Sequence, residues 1–153
     1  MKKYILLVNL IFSFVALSQT QLVIGESNFS SDIAYTVEGG KVYHGDGTFT
    51  TQVMFRFSDN KFYIGNSVSS FDCIYTIDGD KIYRGDSKFS SDILYTISDD
   101  KVYRGNSTFS SNCIFTYEDD KIYAGDSNFS SDLLFTVRGP LSLAIITCII
   151  GPY

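Results

Sequence analysis

The residues of this chain that could do chemistry are one histidine, several paired carboxylates, three cysteines and a recurring Asp/Ser loop. A Ser-His-Asp or Cys-His arrangement would have to pass through His44, the sole histidine. Comparable positions of the repeat described below hold Ile64, Arg84, Arg104 and Ala124, so His44 reads as a solvated rim residue. Asp99-Asp100 and Asp119-Asp120 bring carboxylates together, as glycosidase chemistry requires. That chemistry also needs one acid held protonated by an apolar pocket, whereas adjacent acids in a polar turn stay ionised. Asp86, Ser90 and Asp92, with their equivalents Asp126, Ser130 and Asp132, offer the hard oxygen ligands that calcium takes. Their spacing matches neither an EF-hand loop nor the glycine-rich nonapeptide repeat, and Ser and Asp cap turns unaided. The residues therefore predict no catalytic group, no metal site and no cofactor, and they single out no ligand-binding residue.

The cysteines are Cys73, Cys113 and Cys148. The first two replace Ile33 and Ile93 at one repeat position and behave as small apolar residues. Two units apart, they are too distant for the Cα spacing of about 5.5 Å that a disulfide needs. A bond from Cys148 to either is open in an oxidising compartment, although an odd count argues against a disulfide framework. Asn28, Asn106 and Asn128 begin glycosylation sequons that recur because the repeat contains them.

All these residues are positioned by a repeat. Its period is 20 residues without insertion, with glycine at Gly25, Gly45, Gly65, Gly85, Gly105 and Gly125. Tyrosine stands two residues earlier in five copies, from Tyr43 to Tyr123, with Val23 in the first. Lysine opens the unit from Lys41 to Lys121, and a second aromatic recurs from Tyr35 to Phe135. Within a unit, Lys81–Arg84 and Ile93–Ile97 are short β-prone runs. Tight turns such as Asp78-Gly79-Asp80 and Ser98-Asp99-Asp100 join one unit to the next. The stretch Gly85–Asp92 links the two strands within it. No copy carries a helical period, so the body of the chain, residues 19–140, reads as six β-hairpin repeats and about twelve strands.

Alternation along the longer strand assigns its core face to Ile93, Tyr95 and Ile97, and in other copies to Val53, Phe55 and Phe57, or Cys73, Tyr75 and Ile77. Tyr83 and Gly85 share a face in the shorter strand, which would let a ring cover the bare backbone of a neighbouring glycine.

A hairpin of this size buries its apolar face only against neighbours. An open solenoid needs polar caps, whereas a closed ring needs none. The terminal copies are no more polar than the others, which favours closure. Residues 141–153 then become informative, because Leu141–Ile150 is almost wholly apolar yet too short to span a bilayer. A twelve-stranded ring is too wide for its own side chains to fill. A helix of about ten residues, roughly 15 Å long, would plug it. Pro140 suits a first helical turn, while the isoleucines favour a closing strand by propensity. A buried context overrides propensity and favours the helix.

The gapless two-strand unit with Y-x-G-[DN]-S and F-S-S-D, ending in an apolar segment, resembles the bacterial β-flower proteins. That resemblance covers residues 21–150 and implies an all-β closed radial barrel of about six hairpins around a short central C-terminal helix. The architecture is similar to the tubby-like barrel. It implies no catalytic or binding residue.

Residues 1–18 read as a secretory signal. Lys2 and Lys3 are followed by an apolar run from Tyr4 to Phe14, and Ala16-Leu17-Ser18 forms a small-residue cleavage site. A membrane anchor would need a longer run. Losing Lys2 and Lys3 leaves 10 Lys+Arg against 17 Asp+Glu, a net of −7. An acidic chain without basic clusters is unsuited to nucleic acid. These features predict a secreted, periplasmic or cell-surface binding or scaffold module without enzymatic activity. Its expected partner is an extracytoplasmic protein, a glycan or, by analogy with tubby-like barrels, a lipid.

Overall fold

A computed structural model describes residues 18–151; the expected signal segment and its cleavage site fall almost wholly outside them. In chain order the strands are β1 (Thr20–Ile24), β2 (Ile33–Glu38), β3 (Lys41–His44), β4 (Val53–Ser58), β5 (Lys61–Ile64) and β6 (Cys73–Asp78). They continue with β7 (Lys81–Arg84), β8 (Ile93–Ser98), β9 (Lys101–Arg104), β10 (Cys113–Glu118), β11 (Lys121–Ala124) and β12 (Leu133–Arg138). Each strand pairs antiparallel with its sequence neighbours, and β1 pairs with β12, so the sheet is a closed barrel.

Two kinds of connection alternate and define two ends. At the turn end, two-residue hairpins such as Gly39-Gly40, Asp59-Asn60 and Asp119-Asp120 run at positive φ. This is the twist-matched geometry that Gly, Asn and Asp tolerate. At the other end, each short strand passes into an eight-residue loop. The β1–β12 register, Leu22 opposite Val137 and Gln21 opposite Arg138, reproduces that of each hairpin, such as Val42 opposite Val37. The chain ends therefore occupy the place of a sixth hairpin turn.

A helix, α1 (Leu143–Ile150), starts from that gap and fills the barrel. Ile146, Thr147, Cys148 and Ile149 are buried in it. They join a core of Leu22, Val42, Phe62, Ile82, Val102 and Ile122, all wholly inaccessible, and the facing aromatics Tyr75, Tyr95 and Phe115. The helix is shorter than the ten residues expected. Pro140 lies outside its first turn: Ser142 is the N-cap, its Oγ accepting from the Ile145 amide at 3.4 Å, and the Pro140 carbonyl accepts from Thr20 Oγ1 at 2.9 Å.

Strict alternation fails at one point in every longer strand. Tyr95 opposes Ile82, but Ile93, not Leu94, opposes Tyr83. This β-bulge turns Ile93, Cys73 and Cys113 to the outer face, beside Tyr83, Tyr63 and Tyr103. The expected core face is thus right at Tyr95 and Ile97 and wrong at Ile93. The bulge also separates Cys73 and Cys113 from the helix, and all three cysteines, Cys148 included, are free thiols. The body is not purely β either: each long loop contains a single 3-10 turn, such as Ser90–Asp92.

Candidate functional site

The eight-residue loops begin at the repeat glycine. Gly25, Gly45, Gly65, Gly85, Gly105 and Gly125 have φ between 60° and 73°, which turns the chain outward. A Cβ at Gly25, Gly45, Gly65 or Gly105 would meet nothing within 4 Å, so no tyrosine ring covers them. These glycines answer to φ, and the expected ring-over-glycine packing is corrected accordingly. Five of the six repeat-glycine carbonyls are held instead by threonine, Gly65 being the exception because Arg56 takes that position. Thr36, Thr76, Thr96 and Thr116 donate to Gly45, Gly85, Gly105 and Gly125 at 2.7–2.8 Å, and Thr136 reaches across the closure to Gly25 at 2.6 Å.

From the glycine each loop folds back along the outer wall toward the turn end, like a petal. Lysines at the start of a short strand hold petals of the next unit: Lys61 pairs with Asp86 at 2.8 Å and Lys101 with Asp126 at 2.6 Å. Lys121 pairs with Glu26 and so ties the last unit to the first. These petals cover the outer-face tyrosines, leaving Tyr43, Tyr63, Tyr103 and Tyr123 buried. The petal is then stapled internally. Ser87 donates to Asp92 at 2.5 Å and Ser67 to Asp72 at 2.6 Å, while the same Ser87 oxygen accepts from the Phe89 amide at 3.2 Å. Asn112 keeps the staple in the fifth petal by donating to Ser107 at 2.8 Å.

This geometry separates the oxygen ligands considered for calcium. Asp86 faces Lys61 and Asp92 faces Ser87; Asp126 faces Lys101 and Asp132 faces Ser127. Ser90 and Ser130 open the exposed 3-10 turns. His44 is exposed at the loop-end rim, opposite Tyr35. Asp99-Asp100 and Asp119-Asp120 are hairpin turns, as read. Asn28, Asn106 and Asn128 stand exposed in petals, and Asn28 accepts from Arg138 at 3.1 Å.

The feature missed in the sequence is at the petal tip. Phe29, Phe49, Phe89, Phe109 and Phe129 are 71–76 % exposed, and Phe71 in the third petal is 97 % exposed. Each of the five sits at the N-cap of the 3-10 turn in extended backbone. The staple lies beneath Phe29, Phe89, Phe109 and Phe129, whereas the petal of Phe49 has Gly47 and Gln52 at those positions and lacks it. The recurring Phe was legible, but an apolar residue in a loop reads equally as a buried anchor. Its neighbours lie toward the turn end, since Arg138 holds Asn28 and Lys88 pairs with Asp78 at 3.2 Å. Between the fourth hairpin turn and the last petal lies a cleft of about 400 Å³, lined by Asp99, Asp100, Tyr117, Glu118, Asp126 and Asn128 among others. The Tyr117 hydroxyl donates to Asp120 at 2.8 Å; burial first, then that carboxylate, pushes it up to about 12.

A closed ring of six petalled hairpins around a helix is the architecture that a family comparison then identifies. The family model described as 6-fold beta flower protein matches residues 23–146. The chain belongs to that family. No curated protein and no solved structure gave a significant match to this β-flower protein. The family match extends from β1 to Ile146 in α1, so it runs through all six units and into the first half of the plug.

Proposed function

We propose that this β-flower protein is a non-enzymatic binding or scaffold module working outside the cytoplasm, and that it engages its partner through the petal tips. The observation carrying this reading is one exposed phenylalanine per petal, repeated around a closed ring. Single exposed apolar residues are ordinary, but a set recurring once per petal around a ring presents a multivalent surface. Aromatic faces flanked by hydroxyls and amides suit glycan rings or a protein with repeated contacts. Each weak contact then gains from the others, because the ring supplies a high effective concentration.

Glycan-array and envelope-extract binding by residues 19–153 tests the proposal. Binding that weakens stepwise as Phe29, Phe89, Phe109 and Phe129 are changed to serine supports it. Uniform silence across glycans and extracts removes it. A second reading, a lipid surface, draws on the same exposed tips. Vesicle flotation that leaves the protein wholly in the soluble fraction excludes this second reading.

A further inference from the structure

At the loop end, away from the petal tips, a second cleft of about 400 Å³ opens across the bulge between β6, β7 and β8. That is the size range of small-molecule sites. Its lining is Cys73, Ile74, Tyr75, Gly85 and Leu94, with Arg84 at its edge. No carboxylate lines it, in a chain of net charge −5. Arg84 is exposed, and no hydrogen bond or ion pair engages its side chain among the described residues. Four of the five lysines that open a unit behave differently: Lys61, Lys81, Lys101 and Lys121 each meet an acid. The equivalent rim position holds Ile24, Ile64 and Ala124 elsewhere, so the barrel does not require a cation there.

We infer that this cleft binds a single-chain anionic amphiphile. The alkyl chain lies against Ile74 and Leu94, where its burial supplies the non-directional part of the affinity. The anionic head meets the Arg84 guanidinium, whose planar fork suits a carboxylate, sulfate or phosphate. Neighbouring Arg104 adds to the local positive field, which draws an anion to this end of an otherwise acidic molecule. Arg104 itself borders a smaller cleft of about 200 Å³, lined by Ser111, Asn112, Cys113 and Ile114, which is too polar for an acyl chain.

This inference is independent of what the petal tips bind. The test is isothermal titration of the folded protein with dodecanoate below its micelle concentration. Dodecyl maltoside serves as the same tail without charge, and butyrate as the same head without tail. Arg84→Ala and Leu94→Ala copy Ala124 and Ala34 of other units, so both variants retain residues the barrel already accommodates. The expected result is one dodecanoate per chain, with neither control competing. Arg84→Ala should weaken binding about tenfold, the loss of one charge-assisted contact. Leu94→Ala should weaken it severalfold, and Arg104→Ala should leave it nearly unchanged. Equal binding of dodecyl maltoside, unaltered affinity in Arg84→Ala, or several dodecanoates per chain lost with the petal phenylalanines would overturn the assignment.

Discussion

Thr36, Thr76, Thr96, Thr116 and Thr136 do the most local work in this protein. Alternation pointed Thr96 away from the core, which suggests an exposed residue, yet the petal above buries it to 1 % exposure. Its hydroxyl satisfies the Gly105 carbonyl at 2.7 Å where the chain turns outward. Thr96→Val keeps the shape and removes the donor, leaving a covered carbonyl unpaired. We expect a loss of about 1–3 kcal/mol in urea denaturation, without change of fold by circular dichroism. An unchanged midpoint would mean that water reaches the carbonyl. The tip phenylalanines mark the limit of residue-scale reading. Their periodicity is in the sequence, but their exposure is a property of the folded loop: Phe89 stands 75 % exposed above the Ser87–Asp92 staple, and Phe49 72 % exposed in a petal with Gly47 in place of the serine.

At the scale of elements, strand boundaries were the most legible part. The runs Lys81–Arg84 and Ile93–Ile97 correspond to β7 and to all but the last residue of β8. Propensity and the turn residues on either side act locally, so a single unit contains the information. The bulge was not legible, because it depends on the register between two strands: Tyr83 skips Leu94 to face Ile93. The helix shows the opposite case, where isoleucines that favour strand adopt α because the barrel surrounds them. The ring and its plug should be mutually dependent. Removing residues 141–153 uncovers the inner face of every hairpin, so cooperative thermal unfolding should disappear. Ile146→Ala, at 1 % exposure, should cost about 2–5 kcal/mol by the same measurement. A truncated chain that melts like the intact one would show that the barrel packs without its helix.

For the whole molecule, closure is the controlling fact. Thr136 to Gly25, Lys121 to Glu26 and the β1–β12 ladder repeat between the chain's ends the contacts made within it. A solenoid tolerates loss of one repeat, since each unit touches only its neighbours. A ring does not: excising residues 81–100 restores the repeat phase but narrows the barrel around a helix of fixed girth. We expect that deletion to abolish two-state unfolding, as followed by denaturant titration and hydrogen exchange. Retention of a sharp transition at reduced stability would point to an open array. The sequence by itself determined the unit, its period, both strands, the turn chemistry and an apolar tail in need of cover, because these follow from local propensity and periodicity. It also argued for closure, from uncapped ends and a tail with no other place to go. Only the tertiary structure decided that Ile93 and the two repeat cysteines face outward, that the petals fold back over the outer tyrosines, and that the phenylalanine tips stay in water. Those outcomes depend on register and on contacts between neighbouring units, and neither is encoded within any single 20-residue copy.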